Sequence, residues 1–135
     1  MLALDPGSRR TGVALSDELG MFAHPRPAIQ SASMLLMVDE VARLVWADDV
    51  GEVVVGLPLS LSGRDSDQTM SVRELVRALR ERLNVPVSTW DERLSSVEAA
   101  RTVKGPAKRR SGALDSESAA IVLQAVLDSR RRGRA

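Results

Sequence analysis

The sequence has no cysteine, no tyrosine, one phenylalanine, two tryptophans and one histidine. The absence of cysteine excludes disulfide bonds, thiol catalysis and cysteine-ligated zinc. A single histidine, His24, excludes a histidine-rich zinc site and disfavours a Ser-His-Asp mechanism. The scarcity of aromatic side chains argues against a stacking surface for single-stranded nucleic acid. Any chemistry must therefore come from carboxylates, hydroxyls, arginines and the backbone.

Long apolar segments are also missing. No run approaches the roughly 18 residues that a membrane span requires, and no signal-peptide pattern opens the chain. The 135 residues are 44% hydrophobic and 27% charged, a composition typical of a folded core. We therefore expect a single domain over residues 1–135 that is soluble and cytoplasmic, with no membrane partner.

Positive charge is concentrated in the second half of the chain. Residues 1–68 carry ten acidic and five basic residues, whereas residues 69–135 carry eight acidic and fourteen basic ones. Seventeen of the nineteen basic residues are arginine, whose planar fork suits phosphate oxygens. Arginines spread along a helix are typical of a solvated surface, but two clusters are denser. They are a predicted mobile basic loop at about residues 102–112, with Lys104, Lys108, Arg109 and Arg110, and a basic C-terminal tail at about 129–135.

Hydrophobic patterning predicts a mixed α/β fold. Five short strands are expected at 2–4, 12–16, 21–23, 52–57 and 85–90, with a hairpin turn at 17–20 and the third strand ended by Pro25 and Pro27. Apolar residues at helical spacing follow Met34, Val72 and Ala119, and a capping box at Ser95 and Glu98 predicts another helix that ends near Gly105. The order β-β-β-α-β-α-β-α-α predicts a mixed sheet with helices on its faces. Trp46 is expected in the core.

Carboxylates stand at the ends of predicted elements. Asp5 closes the first strand, Asp91 and Glu92 close the fifth, and Asp115 begins the last helix. Functional groups in α/β sheets gather beyond strand ends, and converging carboxylates need a cation between them. Oxygen ligands of this kind favour Mg²⁺ or Mn²⁺. Taken singly, the same residues also suit a turn, a solvated loop pair and a helix N-cap. Strand alternation places Asp91 and Glu92 on opposite faces and leaves open which one meets Asp5.

Four segments, in order, resemble the YqgF/RuvX family of ribonuclease H-like nucleases. Its opening motif is similar to Leu2–Ala14, which reads LALDPGSRRTGVA. The other matches are Val53–Leu59, Trp90–Ser96 and Asp115–Gln124, which read VVVGLPL, WDERLSS and DSESAAIVLQ. Together they span nearly the whole chain.

The resemblance implies a ribonuclease H-like fold. The expected architecture is a five-stranded mixed sheet whose first three strands are antiparallel, with helices on both faces. The implied activity is that of a divalent-metal-dependent endonuclease that acts on branched DNA at Holliday junctions or matures the 5′ end of precursor 16S rRNA. Symmetric cutting of a junction would need two active sites, so we also expect a homodimer.

The resemblance also assigns roles to residues. It implies that Asp5, Glu92 and Asp115 are the catalytic acids and hold Mg²⁺ or Mn²⁺. Related junction resolvases often carry a further acid where Ser118 stands here. The basic residues implied to bind nucleic acid come from the first motif, the third motif and the basic loop: Arg9, Arg10, Arg93, Lys104, Lys108, Arg109 and Arg110.

Two other functions remain open at this stage. A non-catalytic nucleic-acid-binding factor would keep the arginines and give the acids only capping roles. An actin-like or sugar-kinase-like ATPase would use the segment from Asp5 to Gly12 as a phosphate loop, but it would need a second lobe to enclose the nucleotide.

Overall fold

The computed structural model describes residues 1–7, 9–30, 33–59, 66–94 and 116–133. The elements within these ranges alternate much as the sequence predicts. The strands are β1 (Leu2–Pro6), β2 (Thr11–Ser16), β3 (Ala23–Ile29), β4 (Val53–Leu57) and β5 (Val87–Asp91). The helices are α1 (Met34–Ala47), α2 (Asp67–Arg82) and α3 (Glu117–Gly133), and a 3₁₀ turn covers Glu92–Leu94. The helix predicted from Ser95 to near Gly105 lies outside the described residues.

The five strands form one mixed sheet in the order β3-β2-β1-β4-β5. The first three strands pair antiparallel, and β1–β4 and β4–β5 pair parallel. All five residues of β4 are buried, as expected for an apolar strand covered on both faces. In this order β4 lies between β1 and β5, the two strands whose ends carry Asp5 and Glu92.

The turn between β2 and β3 confirms the predicted hairpin. A carboxylate oxygen of Asp17 accepts a hydrogen bond from Met21 N at 2.8 Å, and Gly20 N donates to Asp17 O at 3.0 Å. Gly20 has a φ of 67°, a conformation that glycine adopts without strain. The hairpin brings the β2 and β3 segments into antiparallel register.

The prediction that Pro25 and Pro27 end the third strand is wrong. β3 begins at Ala23 and runs through both prolines to Ile29. β3 is an edge strand, so one side of its backbone has no partner strand. Proline lacks an N–H group, and at such an edge this absence removes no bond from the ladder.

Helices cover both faces of the sheet. α1 and α2 pack on one face through a cluster that includes Leu4, Val41, Val55 and Leu79, and α3 packs on the other through residues such as Leu123. The prediction that Trp46 belongs to the core is wrong, because its side chain is 87% exposed. The buried stripe of α1 consists of Met37, Val38 and Val41, and Trp46 projects from the helix away from that stripe.

Two buried polar side chains attach α3 to the first three strands. Ser116 Oγ accepts a hydrogen bond from Val13 N at 2.9 Å, next to the register shift between β2 and β3. Gln124 is fully buried, accepts from Ala23 N at 2.9 Å and donates to Met21 O at 2.9 Å. These bonds satisfy backbone groups that the strand ladder leaves unpaired, and they fix the start of α3 against β2.

The last turn of α3 contains Arg130, Arg131 and Arg132, which belong to the segment that the sequence allows as a basic tail. Arg130 makes two hydrogen bonds to the Glu52 carboxylate, and Arg131 contacts Asp128. Positive side chains at a helix C-terminus also interact favourably with the helix dipole. None of the three described helices combines the length and apolar character that crossing a bilayer requires.

Candidate active site

Asp5 and Glu92 meet at the C-terminal edge of the parallel part of the sheet. Asp5 is the penultimate residue of β1, and Glu92 directly follows β5. Their carboxyl groups are in hydrogen-bonding contact, although β4 separates the two strands. Because β1 and β5 are both parallel to β4, their C-terminal ends reach the same edge, which brings together residues 87 positions apart in sequence.

Gly56 in β4 leaves the space through which Glu92 reaches Asp5. A Cβ atom at position 56 would lie 2.8 Å from Oε1, 3.3 Å from Cγ and 3.4 Å from Cδ of Glu92. Any other residue at position 56 would therefore occupy the path of the glutamate side chain. Gly56 is not among the predicted site residues, although it is the one glycine inside an otherwise β-branched and leucine strand.

The contact with Asp5 changes the acidity of Glu92. The pKa of the Glu92 carboxyl is raised from 4.5 to about 8, first by burial and then by the hydrogen bond and negative charge of Asp5. The negative charge of Asp91 makes a smaller contribution to the same rise. Two carboxyl groups in one half-buried site cannot both ionise without a cost, so Glu92 holds a proton near neutral pH when no cation is present.

Asp91 has a different environment from its neighbour. Both of its carboxylate oxygens accept hydrogen bonds from Arg93, with Nε of Arg93 at 3.0 Å and Nη2 at 2.6 Å. The Arg93 guanidinium holds the pKa of Asp91 below its usual range. The structure thus decides the question that strand alternation left open, since Glu92 faces Asp5 and Asp91 pairs with Arg93.

The basic residues predicted near the site are divided between described and undescribed segments. Arg9 and Arg10 are exposed in the turn that follows Asp5, where Gly7 N donates to Arg10 O at 2.9 Å. Arg93 is exposed in the 3₁₀ turn. Four predicted residues of the basic loop lie outside the described residues: Lys104, Lys108, Arg109 and Arg110.

Asp115, the predicted third acid, also lies outside the described residues. Its neighbour Ser116 is described, and it is bonded to Val13. Val13 pairs with Leu4 across β1 and β2, one residue from Asp5. Among the residues that the structure describes, no group of three or more acidic or histidine side chains is arranged to hold a metal.

The donor set at this edge fits a hard divalent cation. Asp5 and Glu92 offer carboxylate oxygens without sulfur or imidazole, which are the ligands that Mg²⁺ and Mn²⁺ prefer. Burial and the negative charge of Asp5 disfavour ionisation of Glu92. A cation between the two carboxylates would offset their repulsion and allow both groups to ionise.

Trp90 packs beneath the site rather than projecting into it. Its side chain lies against the apolar cluster under α3. Because side chains alternate along a strand, Trp90 and Glu92 point to the same face of the sheet. The indole Nε1 is buried and makes no hydrogen bond within the part of the chain that the structure describes. His24 is exposed on the edge strand, away from both carboxylates. Neither aromatic side chain is therefore positioned to transfer a proton between Asp5 and Glu92.

Sequence comparisons identify one family. The family model described as "RuvX: Holliday junction resolvase" matches residues 1–129. Curated relatives in Koribacter versatilis and Maridesulfovibrio salexigens carry the name "Putative pre-16S rRNA nuclease". The first is 39% identical over 133 residues, which cover 96% of this chain and 87% of the relative. The second is 35% identical over 127 residues, which cover 92% of this chain and 94% of the relative.

Structural comparison identifies the same fold. RuvC of Thermus thermophilus in complex with a Holliday junction substrate superposes with a TM-score of 0.68 at 13% identity, covering 100% of this chain and 98% of that one. A second structure of Thermus thermophilus RuvC gives a TM-score of 0.61 at 15% identity, with coverage of 98% and 97%. The expected ribonuclease H-like sheet is thereby confirmed.

Proposed function

The chain belongs to the RuvX (YqgF) family, and from that premise we propose that it is a metal-dependent endonuclease that hydrolyses phosphodiester bonds in structured nucleic acid. The contact between Asp5 and Glu92 carries the proposal. Partly buried, mutually repelling carboxyl groups destabilise a fold, and a cation site is the chemical use that such a pair supports best. If Asp5 and Glu92 served only as turn or capping residues, their carboxyl groups would not need to touch, and Glu92 would not need the space above Gly56.

In this proposal Asp5, Glu92 and Asp115 hold one or two Mg²⁺ or Mn²⁺ ions. The ion, when bound, supplies Lewis acidity toward the scissile phosphate and the attacking water. Ser116, the residue after Asp115, supports the inclusion of Asp115. It is hydrogen-bonded to Val13 of β2, the strand that pairs with β1. Asp91 is assigned a positioning role, since it holds the Arg93 guanidinium beside the acids.

The same proposal gives the basic residues the task of binding phosphates next to the scissile one. Arg9 and Arg10 are exposed in the turn after Asp5, and Arg93 is exposed just after Glu92. Lys104, Lys108, Arg109 and Arg110 would add further phosphate contacts from the predicted basic loop. Contacts of this kind fix the register of a nucleic acid without reading its sequence.

Two substrates are compatible with the family, and they remain alternatives within one chemistry. The family description supports branched DNA, and the names of the curated relatives support the 5′ end of precursor 16S rRNA. The phosphodiester reaction at Asp5 and Glu92 would be the same for both. For a four-way junction we propose a homodimer, because symmetric cuts need two active sites, and sedimentation of the protein with and without a junction tests this assembly.

The decisive experiment compares cleavage by three variants with Mn²⁺ present. Asp5→Asn and Glu92→Gln should each reduce cleavage of a four-way junction or a precursor rRNA at least about 100-fold, by analogy with the loss of a major electrostatic group from an active site. Asp39→Asn is the matched control, since Asp39 is exposed on α1 outside the site. Cleavage by Asp5→Asn at the wild-type rate would end the proposal and leave a non-catalytic nucleic-acid-binding factor as the better description.

A further inference from the structure

A basic groove lies between α2 and the edge strand β5. It has a volume of about 260 Å³ and is lined by Arg73, Val76, Arg77, Arg80 and Thr89. Among the described residues, no acidic side chain lines it. We refer to it below as the arginine groove. It is separate from the carboxylate pair, and no step of the proposed reaction uses it.

The spacing of the arginines along α2 explains why they share one groove. Residues 73, 77 and 80 recur at i, i+4 and i+7 and therefore lie along one flank of the helix. The adjacent flank is buried in the core through Val72, Leu75, Val76 and Leu79. The sequence thus places a row of guanidinium groups at the border between the packed face and solvent.

Packing against the edge strand positions this row. Arg80 Nε donates a hydrogen bond to Val87 O at 3.0 Å, which attaches its side chain to the first residue of β5. Arg77 is exposed and makes no hydrogen bond or ion pair with any residue in the described part of the chain. Thr89 adds an exposed side chain from the same face of β5. The groove therefore presents three guanidinium groups along its walls, and none of the described residues that line it is acidic.

The Arg73 end of the groove lies toward the edge of the sheet that carries Asp5 and Glu92, although α2 packs on the face of the sheet opposite to α3. α2 starts beside the end of β4, where Thr69 Oγ1 donates to Pro58 O at 2.6 Å, and it ends beside the start of β5, where Arg80 contacts Val87. It therefore runs antiparallel to β5, so Arg73 is displaced from Arg80 toward the end of the strand that carries Glu92. Seven residues of helix span about 10 Å, or about three nucleotide steps along one strand of a duplex.

We propose that the arginine groove binds the phosphodiester backbone of the nucleic-acid substrate on one side of the scissile phosphate. The inference rests on the proposed function and extends it with a binding surface on α2. Regularly spaced guanidinium groups in a groove free of acidic side chains match the repeating charge of a nucleic-acid backbone.

The test compares two arginines of the same helix. Arg77→Gln removes a charge from the groove, and Arg82→Gln removes the same charge from outside it. Arg82 is exposed and lies 3.9 Å from Asp39 of α1. Binding of a fluorescent four-way junction and of a precursor rRNA fragment is measured by anisotropy with a metal chelator present, so that neither probe is cleaved. Melting temperatures verify that both variants are folded.

Arg77→Gln should weaken binding about threefold at about 0.1 M salt and lower the slope of log affinity against log salt by about 1. The double variant Arg73→Gln/Arg77→Gln should show a larger loss of affinity and a larger decrease in the salt slope. Arg82→Gln should retain the wild-type slope. Equal effects of Arg77→Gln and Arg82→Gln on affinity and slope would overturn the groove proposal while leaving the nuclease intact. A wild-type protein that binds neither probe would instead overturn the proposed function itself.

Discussion

A Cβ atom added to Gly56 would lie 2.8 Å from Oε1 of Glu92, a separation that real Cβ atoms essentially never show. The carboxyl group of Glu92 therefore depends on a missing side chain in the strand between β5 and β1. This relationship explains how a residue at the end of β5 reaches Asp5 across an intervening strand.

Gly56→Ala should displace the Glu92 carboxyl group and separate it from Asp5. Because a misplacement of about 1 Å in an active site can cost about 100-fold in rate, we expect cleavage with Mn²⁺ to fall by about that factor. Gly51→Ala is the control, because a Cβ at Gly51 would meet nothing within 4 Å. Kinetics and melting temperature are measured for both variants. A Gly56→Ala enzyme with wild-type turnover would show that Glu92 does not need its present position.

The pKa of Glu92 predicts how stability depends on pH without metal. Between about pH 4.5 and about pH 8 the unfolded carboxyl ionises while the folded one stays protonated, so the free energy of unfolding should fall as the pH rises. Solvent screening of this half-exposed group limits the loss to about 1–2 kcal/mol.

Glu92→Gln isolates this effect because glutamine does not titrate. Thermal unfolding in a chelator should show the variant gaining stability relative to the wild type between about pH 4.5 and about pH 8, with no further gain at higher pH. Glu81→Gln, a substitution at an exposed residue of α2, should leave the wild-type pH dependence unchanged. An identical pH dependence in the wild type and Glu92→Gln would contradict a raised pKa at this residue.

Metal binding should show the opposite dependence on pH. Carboxylate ligands must be deprotonated to bind a cation, so the affinity for Mn²⁺ should rise as the pH approaches the Glu92 pKa of about 8. We expect Mn²⁺ to raise the melting temperature more at pH 8 than at pH 6, with proton release detectable by calorimetry in buffers of different ionisation heat. Asp5→Asn should reduce both signals, and equal Mn²⁺ stabilisation of this variant would place the metal elsewhere.

Ser116→Ala should destabilise the protein through an unpaired backbone group. Ser116 is fully buried, and its hydroxyl accepts the hydrogen bond of Val13 N. Leaving that N–H buried without a partner costs about 1–3 kcal/mol, which chemical denaturation can measure. Ser118→Ala, a substitution at an exposed residue in the first turn of α3, should change the free energy of unfolding by less than about 0.5 kcal/mol. Equal stability of the two variants would mean that the Ser116 bond does not contribute.

The sequence alone determined the elements and the family. Apolar residues at intervals of three and four placed α1, α2 and α3, and the run Val53–Val55 placed the buried strand β4. These predictions succeed because periodicity reflects which side of an element is buried. The acids could also be recognised as candidates, since Asp5, Glu92 and Asp115 occur in motifs that resemble one family.

The tertiary structure decided what the periodicity could not. Whether Pro25 and Pro27 end a strand depends on the edge position of β3, and the exposure of Trp46 depends on which face of α1 meets the sheet. The choice of Glu92 over Asp91 depends on Gly56 in a neighbouring strand and on the pairing of Asp91 with Arg93. Each of these outcomes is set by contacts between residues distant in sequence, whereas local patterns report only on their own strand or helix.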